Sequence, residues 1–133
     1  MEVLLVEPGK EARIAEIGND LKSLQAAVGG YIEATYPFDD HVALVCNDEG
    51  KIMQMPLNRA LRDDAGKIYD AVAGPFFICG LGEDDFCSLP KDLQDKYMEK
   101  FRWPEKFLAI GGNLVAVQDK PHESTRKPPS QER

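Results

Sequence analysis

Asn58 and Arg59, in the run Pro56-Leu57-Asn58-Arg59-Ala60-Leu61, are the residues best equipped for recognition chemistry. An asparagine in a loop offers both donor and acceptor, and arginine offers a planar fork that fits a carboxylate or a phosphate. The same arginine can instead pair inside the domain with a carboxylate such as Glu33 or Asp70, and the sequence leaves both roles open. Tyr31, Glu33 and Thr35 alternate with Ile32, Ala34 and Tyr36. In a strand, the first set stands on the face away from the core. That face is either a polar-aromatic recognition surface or an ordinary solvated one.

Other candidate chemistry is weaker. Gly80-Leu81-Gly82-Glu83-Asp84-Asp85 lacks the glycine spacing and the lysine of a phosphate loop, and its acidic run repels anions. It lacks calcium-loop spacing too, so a solvated turn is expected. His41 follows Asp39-Asp40, and Cys87 sits beside Ser88 near a helix start. A Cys87–His41 nucleophile pair is conceivable only if the fold brings them within hydrogen-bond reach. Cys46 and Cys79 fall in apolar runs and read as buried, inert thiols. No catalytic residue, metal site or cofactor is expected.

These groups need a scaffold, and the apolar pattern supplies one. Residues 2–7 form a strand ended by Pro8-Gly9. Asn19 or Asp20 caps a helix with Leu21, Leu24 and Val28 on one face, stopped by Gly29-Gly30. Strands are expected over residues 31–38 and 42–46. The turn Asn47-Asp48-Glu49-Gly50 then leads to a short returning strand, Lys51 to Met55, and Pro56 to Leu61 reads as a loop or helical turn. Residues 67–69 and 75–79 are strand-like, parted by Ala73-Gly74. Ser88 caps a second helix, with Leu89, Leu93, Tyr97 and Phe101 at i, i+4 spacing. Residues 107–110 and 114–117 flank Gly111-Gly112-Asn113 as a terminal hairpin. The aromatic cluster of Tyr97, Phe101, Trp103 and Phe107 either packs in the core or forms a dimer or partner patch.

The sum is an α+β fold, a small, mostly antiparallel or mixed sheet with one early helix, one late helix and a C-terminal hairpin. The expected organisation is a domain over 1–104, a hairpin extension over 105–117 and a disordered polar tail over 118–133. At 133 residues, 43% hydrophobic and 29% charged, the chain has the composition of a soluble globular domain. Its three cysteines contain no CxxC pair, so reduced thiols and a cytoplasmic setting are expected. The net charge is −7, and residues 1–117 alone hold 12 basic and 20 acidic residues. Such a body repels nucleic-acid phosphates, so direct nucleic-acid binding is not expected, and no membrane span is read.

VGGYIE at 28–33, YPFDD at 36–40, NDEGK at 47–51, PLNRAL at 56–61 and AGPFFICGLGEDDFCSL at 73–89 form an ordered set. Through them the chain, over roughly residues 1–101, resembles the family called domain of unknown function thirty-eight forty-six. The resemblance implies a small accessory protein of bacterial, phage or other mobile elements and assigns no activity. The leading expectation is therefore a non-catalytic binding protein that uses Tyr31, Glu33, Asn58 and Arg59 toward a protein or small ligand. Two alternatives are an acidic anti-defence protein that mimics DNA and a small-nucleotide sponge with a phosphate near Arg59. An enzyme comes last.

Overall fold

The computed structural model describes residues 1–121. Its elements are β1 (Glu2–Val6), β2 (Arg13–Glu16), α1 (Leu21–Val28), β3 (Ile32–Thr35), β4 (Val42–Asn47), β5 (Leu57–Arg62), β6 (Ile68–Ala73), β7 (Phe76–Leu81), β8 (Phe86–Cys87), α2 (Lys91–Phe101), β9 (Glu105–Ile110) and β10 (Asn113–Gln118). The fold is α+β, and its strand pairs are antiparallel. A central sheet runs β2-β1-β7-β4-β3, with β8 added to β7. Two separate hairpins, β5–β6 and β9–β10, complete it.

Both faces of the central sheet are covered. That explains why its strands read as continuous apolar runs rather than as alternations. Val3, Leu5, Ala43, Val45, Phe77 and Cys79 turn to one face and meet Leu24 and Val28 of α1. Leu4, Val6, Val42, Leu44, Phe76 and Ile78 turn to the other. There they meet Tyr97 and Phe101 of α2, Leu89 just before it, and Leu61 and Val72 of the β5–β6 arm. Each fully buried aliphatic or aromatic side chain contributes about 1.5–3 kcal/mol. Phe38 joins the second core, its ring 4.8 Å from Tyr97 and 6.0 Å from Phe101. Of the aromatic cluster, Tyr97 and Phe101 are thus core, while Trp103 and Phe107 are half-buried.

The helices follow their local signals. Asp20 caps α1, accepting from the Ser23 hydroxyl at 2.7 Å and from the Ser23 amide at 3.1 Å, and these bonds lower the carboxyl's pKa. Gly29 closes α1 in the left-handed conformation, donating to Gln25 at 2.8 Å. The start of α2 departs from expectation. Pro90 occupies the cap position without a side-chain bond, and Ser88 Oγ accepts the Glu2 amide at 2.8 Å instead. The hydroxyl is drawn to an orphan donor at the start of β1.

Other expectations need correction. Lys51 to Met55 is a run of turns, not a strand, so β4 pairs with β3 and β7 and forms no hairpin with that segment. Pro56 to Leu61 is no loop; from Leu57 it is strand β5, paired along β6. β6 extends to Ala73, and Gly74, with φ of 84°, makes the turn into β7. β2 and β8 were not anticipated. The terminal hairpin forms, two residues longer on the first strand than expected and one longer at each end of the second. Gln118 therefore closes β10, and residues 122–133 of the expected tail lie outside the described residues. No helix among the described residues is long and apolar enough to cross a membrane.

Candidate functional site

The structure divides the four candidate residues into two groups. Asn58 and Arg59 are 0% exposed. The register of β5 against β6 shifts between Leu57 and Arg59, so Asn58 is an extra, bulged residue. A bulge breaks strict in–out alternation and lets consecutive side chains both turn inward. Asn58 Nδ2 donates to the carbonyls of Val6 and Gly74, each at 2.9 Å. Arg59 donates to Phe101 O at 2.9 Å, Lys10 O at 2.7 Å and Asn58 Oδ1 at 2.9 Å. Phe101 ends α2, so the guanidinium takes an orphan carbonyl at a helix C-terminus, where a cation is favoured.

The expected internal partners of Arg59, Glu33 and Asp70, are not the ones used. Backbone carbonyls are, and the nearby charge is Glu105 of β9. Burial lowers the Arg59 pKa to about 10, and Glu105 opposes that shift. Glu105 in turn accepts the Ala60 amide at 2.9 Å and Arg62 at 3.5 Å. Asn58-Arg59 is therefore a latch that joins the arm to the end of β1, the β6–β7 turn and the end of α2. Nothing from solvent reaches it.

Glu33 lies elsewhere, with Thr35, on the wall of a cleft of about 350 Å³. The cleft opens between β3–β4, the 48–55 turn and β6. Leu44, Leu61 and Val72 form its apolar floor, and Glu33, Asp48 and Asp70 bring carboxylates. Lys51 is the one basic lining residue among those described, and it pairs with Asp70 across the mouth. Cys46 stands in the cleft 4.0 Å from Glu33. Burial pushes its thiol up to about 11, with the charges of Glu33, Asp48 and Asp70 adding to the shift. The thiol thus senses a negative field. Tyr31, 69% exposed, precedes β3 outside the cleft lining. Ile32 and Ala34 pack toward the α1 core as expected, whereas Tyr36 is 61% exposed.

The remaining candidates are not brought together. Asp40 accepts from Lys96 at 2.6 Å and from Tyr97 at 2.7 Å, and these bonds lower its pKa. Strand β7 stands between β4, which follows His41, and β8, which holds Cys87. The registers set Val42 two strand spacings, about 9–10 Å, from Cys87, with His41 one residue further along. No group of three or more histidine, cysteine or acidic residues suited to a metal occurs among the described residues.

The family model "Domain of unknown function (DUF3846)" matches residues 1–102. The chain belongs to this family. A comparison with curated proteins and another with solved structures each found no match. The family boundary falls one residue past α2 and before β9, so β9–β10 lies beyond the matched domain. Sequence reasoning missed Asp48, Asp70, Lys51 and Cys46 as neighbours of Glu33. Together with Glu33 they come from three separate segments, and the only local signal was the acidic turn 47–50.

Proposed function

We propose that this DUF3846 protein is a non-catalytic binding module whose cleft takes a positively charged group carried on an apolar body. One observation carries the reading: Glu33, Asp48 and Asp70 stand over a floor of Leu44, Leu61 and Val72, and the only lining lysine is already engaged by Asp70. A concave, largely apolar recess with a few convergent polar groups is the usual form of a ligand site. Carboxylates around a low-dielectric floor favour a cation and repel a phosphate. This favours a cationic ligand over the nucleotide considered from sequence, because the arginine expected to receive the phosphate is enclosed. In an accessory protein of a mobile element, such a cleft serves capture rather than turnover.

The test is a titration of the full chain with N-acetyl-arginine methylamide and spermidine, with ATP as the anionic control, followed by heteronuclear NMR. The cations are expected to shift the Glu33, Cys46 and Asp70 amides, and Glu33→Gln/Asp70→Asn to abolish those shifts. The second readout is Cys46 alkylation, resolved from Cys79 and Cys87 by peptide mass spectrometry. The same double substitution removes two charges that hold the thiol protonated, so alkylation at pH 8.5 should accelerate. Preferential binding of ATP, or cation binding indifferent to the substitutions, would overturn the reading.

A further inference from the structure

We propose that the cleft receives one side chain of an extended, basic segment of a partner protein, and that this segment pairs as an added strand along the free edge of β3. The proposal rests on the cationic reading of the cleft and names the partner that delivers the cation.

β3 is the outermost strand of the central sheet and bonds to β4 alone. Tyr31 O accepts the Asp48 amide at 2.8 Å, in the same register that sets Ile32 opposite Asn47 and Glu33 opposite Cys46. Antiparallel ladders alternate hydrogen-bonded and non-bonded pairs. Tyr31, Glu33 and Thr35 therefore turn their backbone groups toward β4, and Ile32 and Ala34 turn theirs to the open edge. Those outward amides and carbonyls are what an added strand needs.

The side chains repeat the alternation. Glu33 and Thr35 line the cleft on one face of the sheet. Tyr36, in the opposite phase, lines a second recess of about 450 Å³ on the α1 face, with Leu21, Leu24 and the acidic loop Glu83-Asp84-Asp85. A strand laid beside β3 has the same period of two, so its successive side chains face the two recesses in turn. Both recesses combine carboxylates with apolar walls. Lysine and arginine match that pairing, since their stems lie on apolar surface while their heads reach the acids.

A second copy of the chain fits the edge poorly. Antiparallel pairing of β3 with itself sets Glu33 near the Glu33 of the other copy, beside two recesses that are already acidic, and like charges across a strand pair are destabilising. The edge is also short, four residues from Ile32 to Thr35 with Gly30 and Pro37 close on either side, which suits a brief docking strand rather than continued growth.

The test uses a ten-residue peptide in which pairs of arginines alternate with pairs of valines, so that both faces carry arginine, a copy N-methylated at two alternate amides, and N-acetyl-arginine methylamide. Each is titrated into the full chain with amide hydrogen exchange as readout. The unmodified peptide is expected to slow exchange at Ile32 and Ala34. The N-methylated peptide should bind about tenfold more weakly, the loss that two backbone hydrogen bonds represent. Ala34→Pro removes one outward N–H without touching the β4 ladder and should weaken the peptide but not the single-residue ligand. Equal binding of both peptides, still dependent on Glu33 and Asp70, would overturn the strand while leaving the cationic cleft standing. Binding of neither peptide, nor of the single-residue ligand, would overturn both. Protection of Ile32 and Ala34 that grows with protein concentration alone would overturn the basic partner in favour of a second copy.

Discussion

Arg59 illustrates how a polar signal can mark either a surface or an interior. Its spacing after a proline suits a binding loop and suits a buried latch equally well, because the carbonyls it serves arrive from two distant segments, at Lys10 and at Phe101. Nothing local in the sequence announces them. The latch makes a specific demand on side-chain shape. Lysine keeps the charge but has no fork, so Arg59→Lys should leave at least two carbonyls unpaired and cost about 2–4 kcal/mol in urea denaturation. A surface arginine replaced by lysine would change stability by less than about 0.5 kcal/mol. The thiols give a second residue-scale outcome. Burial raises Cys46 to about 11 and Cys79 to about 12. In the unfolded chain both ionise near the ordinary thiol value of about 8.5. The folded state therefore holds more protons above that value, and stability falls as pH rises from there through about 11 and 12. Denaturation midpoints measured from pH 8 to 10 should decline, and Cys46→Ala/Cys79→Ala should flatten that slope even though it lowers the starting stability.

Among the elements, those with strong periodicity were legible. The α2 stripe of Leu93, Tyr97 and Phe101 and the apolar runs of β1, β4 and β7 appear where the pattern places them, whereas Leu89, expected on the helix, packs from just before it. The failures have physical causes. Arg13–Glu16 is an edge strand with mostly exposed side chains, so its apolar signal is thin. Ile52, Met53 and Met55 look like a strand, yet Ile52 is 82% exposed and Gln54 has φ of 58°, which no strand tolerates. β5 was hidden because Asn and Arg read as loop residues, and only the bulge reconciles them with burial. The turn after β6 shows what such geometry requires. A Cβ at Gly74 would stand 2.6 Å from Met55 Sδ, at φ of 84°. Gly66 has nearly the same φ, 82°, but opens on empty space. Gly66→Ala should cost about 1–2 kcal/mol for left-handed backbone alone. Gly74→Ala should cost clearly more, because Met55 must also leave its seat, and thermal melts of the pair would separate the two effects.

At the scale of the molecule, the α+β class, the two helices and the hairpin were readable from composition and pattern. The cleft was not, because it belongs to no single segment. The relation between the matched domain and β9–β10 was also hidden. Glu105 lies beyond residue 102 yet is buried, holding the Ala60 amide and Arg62 of the arm. Truncation after Trp103 should therefore destabilise the domain, and Glu105→Ala should reproduce about 1–3 kcal/mol of that loss through the orphaned buried donor. Glu105→Gln keeps an acceptor for Ala60 and should cost less than Glu105→Ala in the same assay. The outward face of the hairpin carries Leu108, Ile110 and Val117, each more than half exposed, so truncation removes apolar surface from solvent contact even as it weakens the arm.

The latch also has a kinetic meaning. Its acceptors, at Val6, Lys10, Gly74 and Phe101, are spread over 96 positions of the chain, and all must be in place before Asn58 and Arg59 can bond them. Contacts of such long sequence separation are entropically late. Interactions absent from the transition state act on the escape rate from the native state rather than on the rate of reaching it. Arg59 is then the molecule's timekeeper. In stopped-flow experiments Arg59→Lys should speed unfolding by the greater part of its equilibrium effect and leave refolding nearly unchanged.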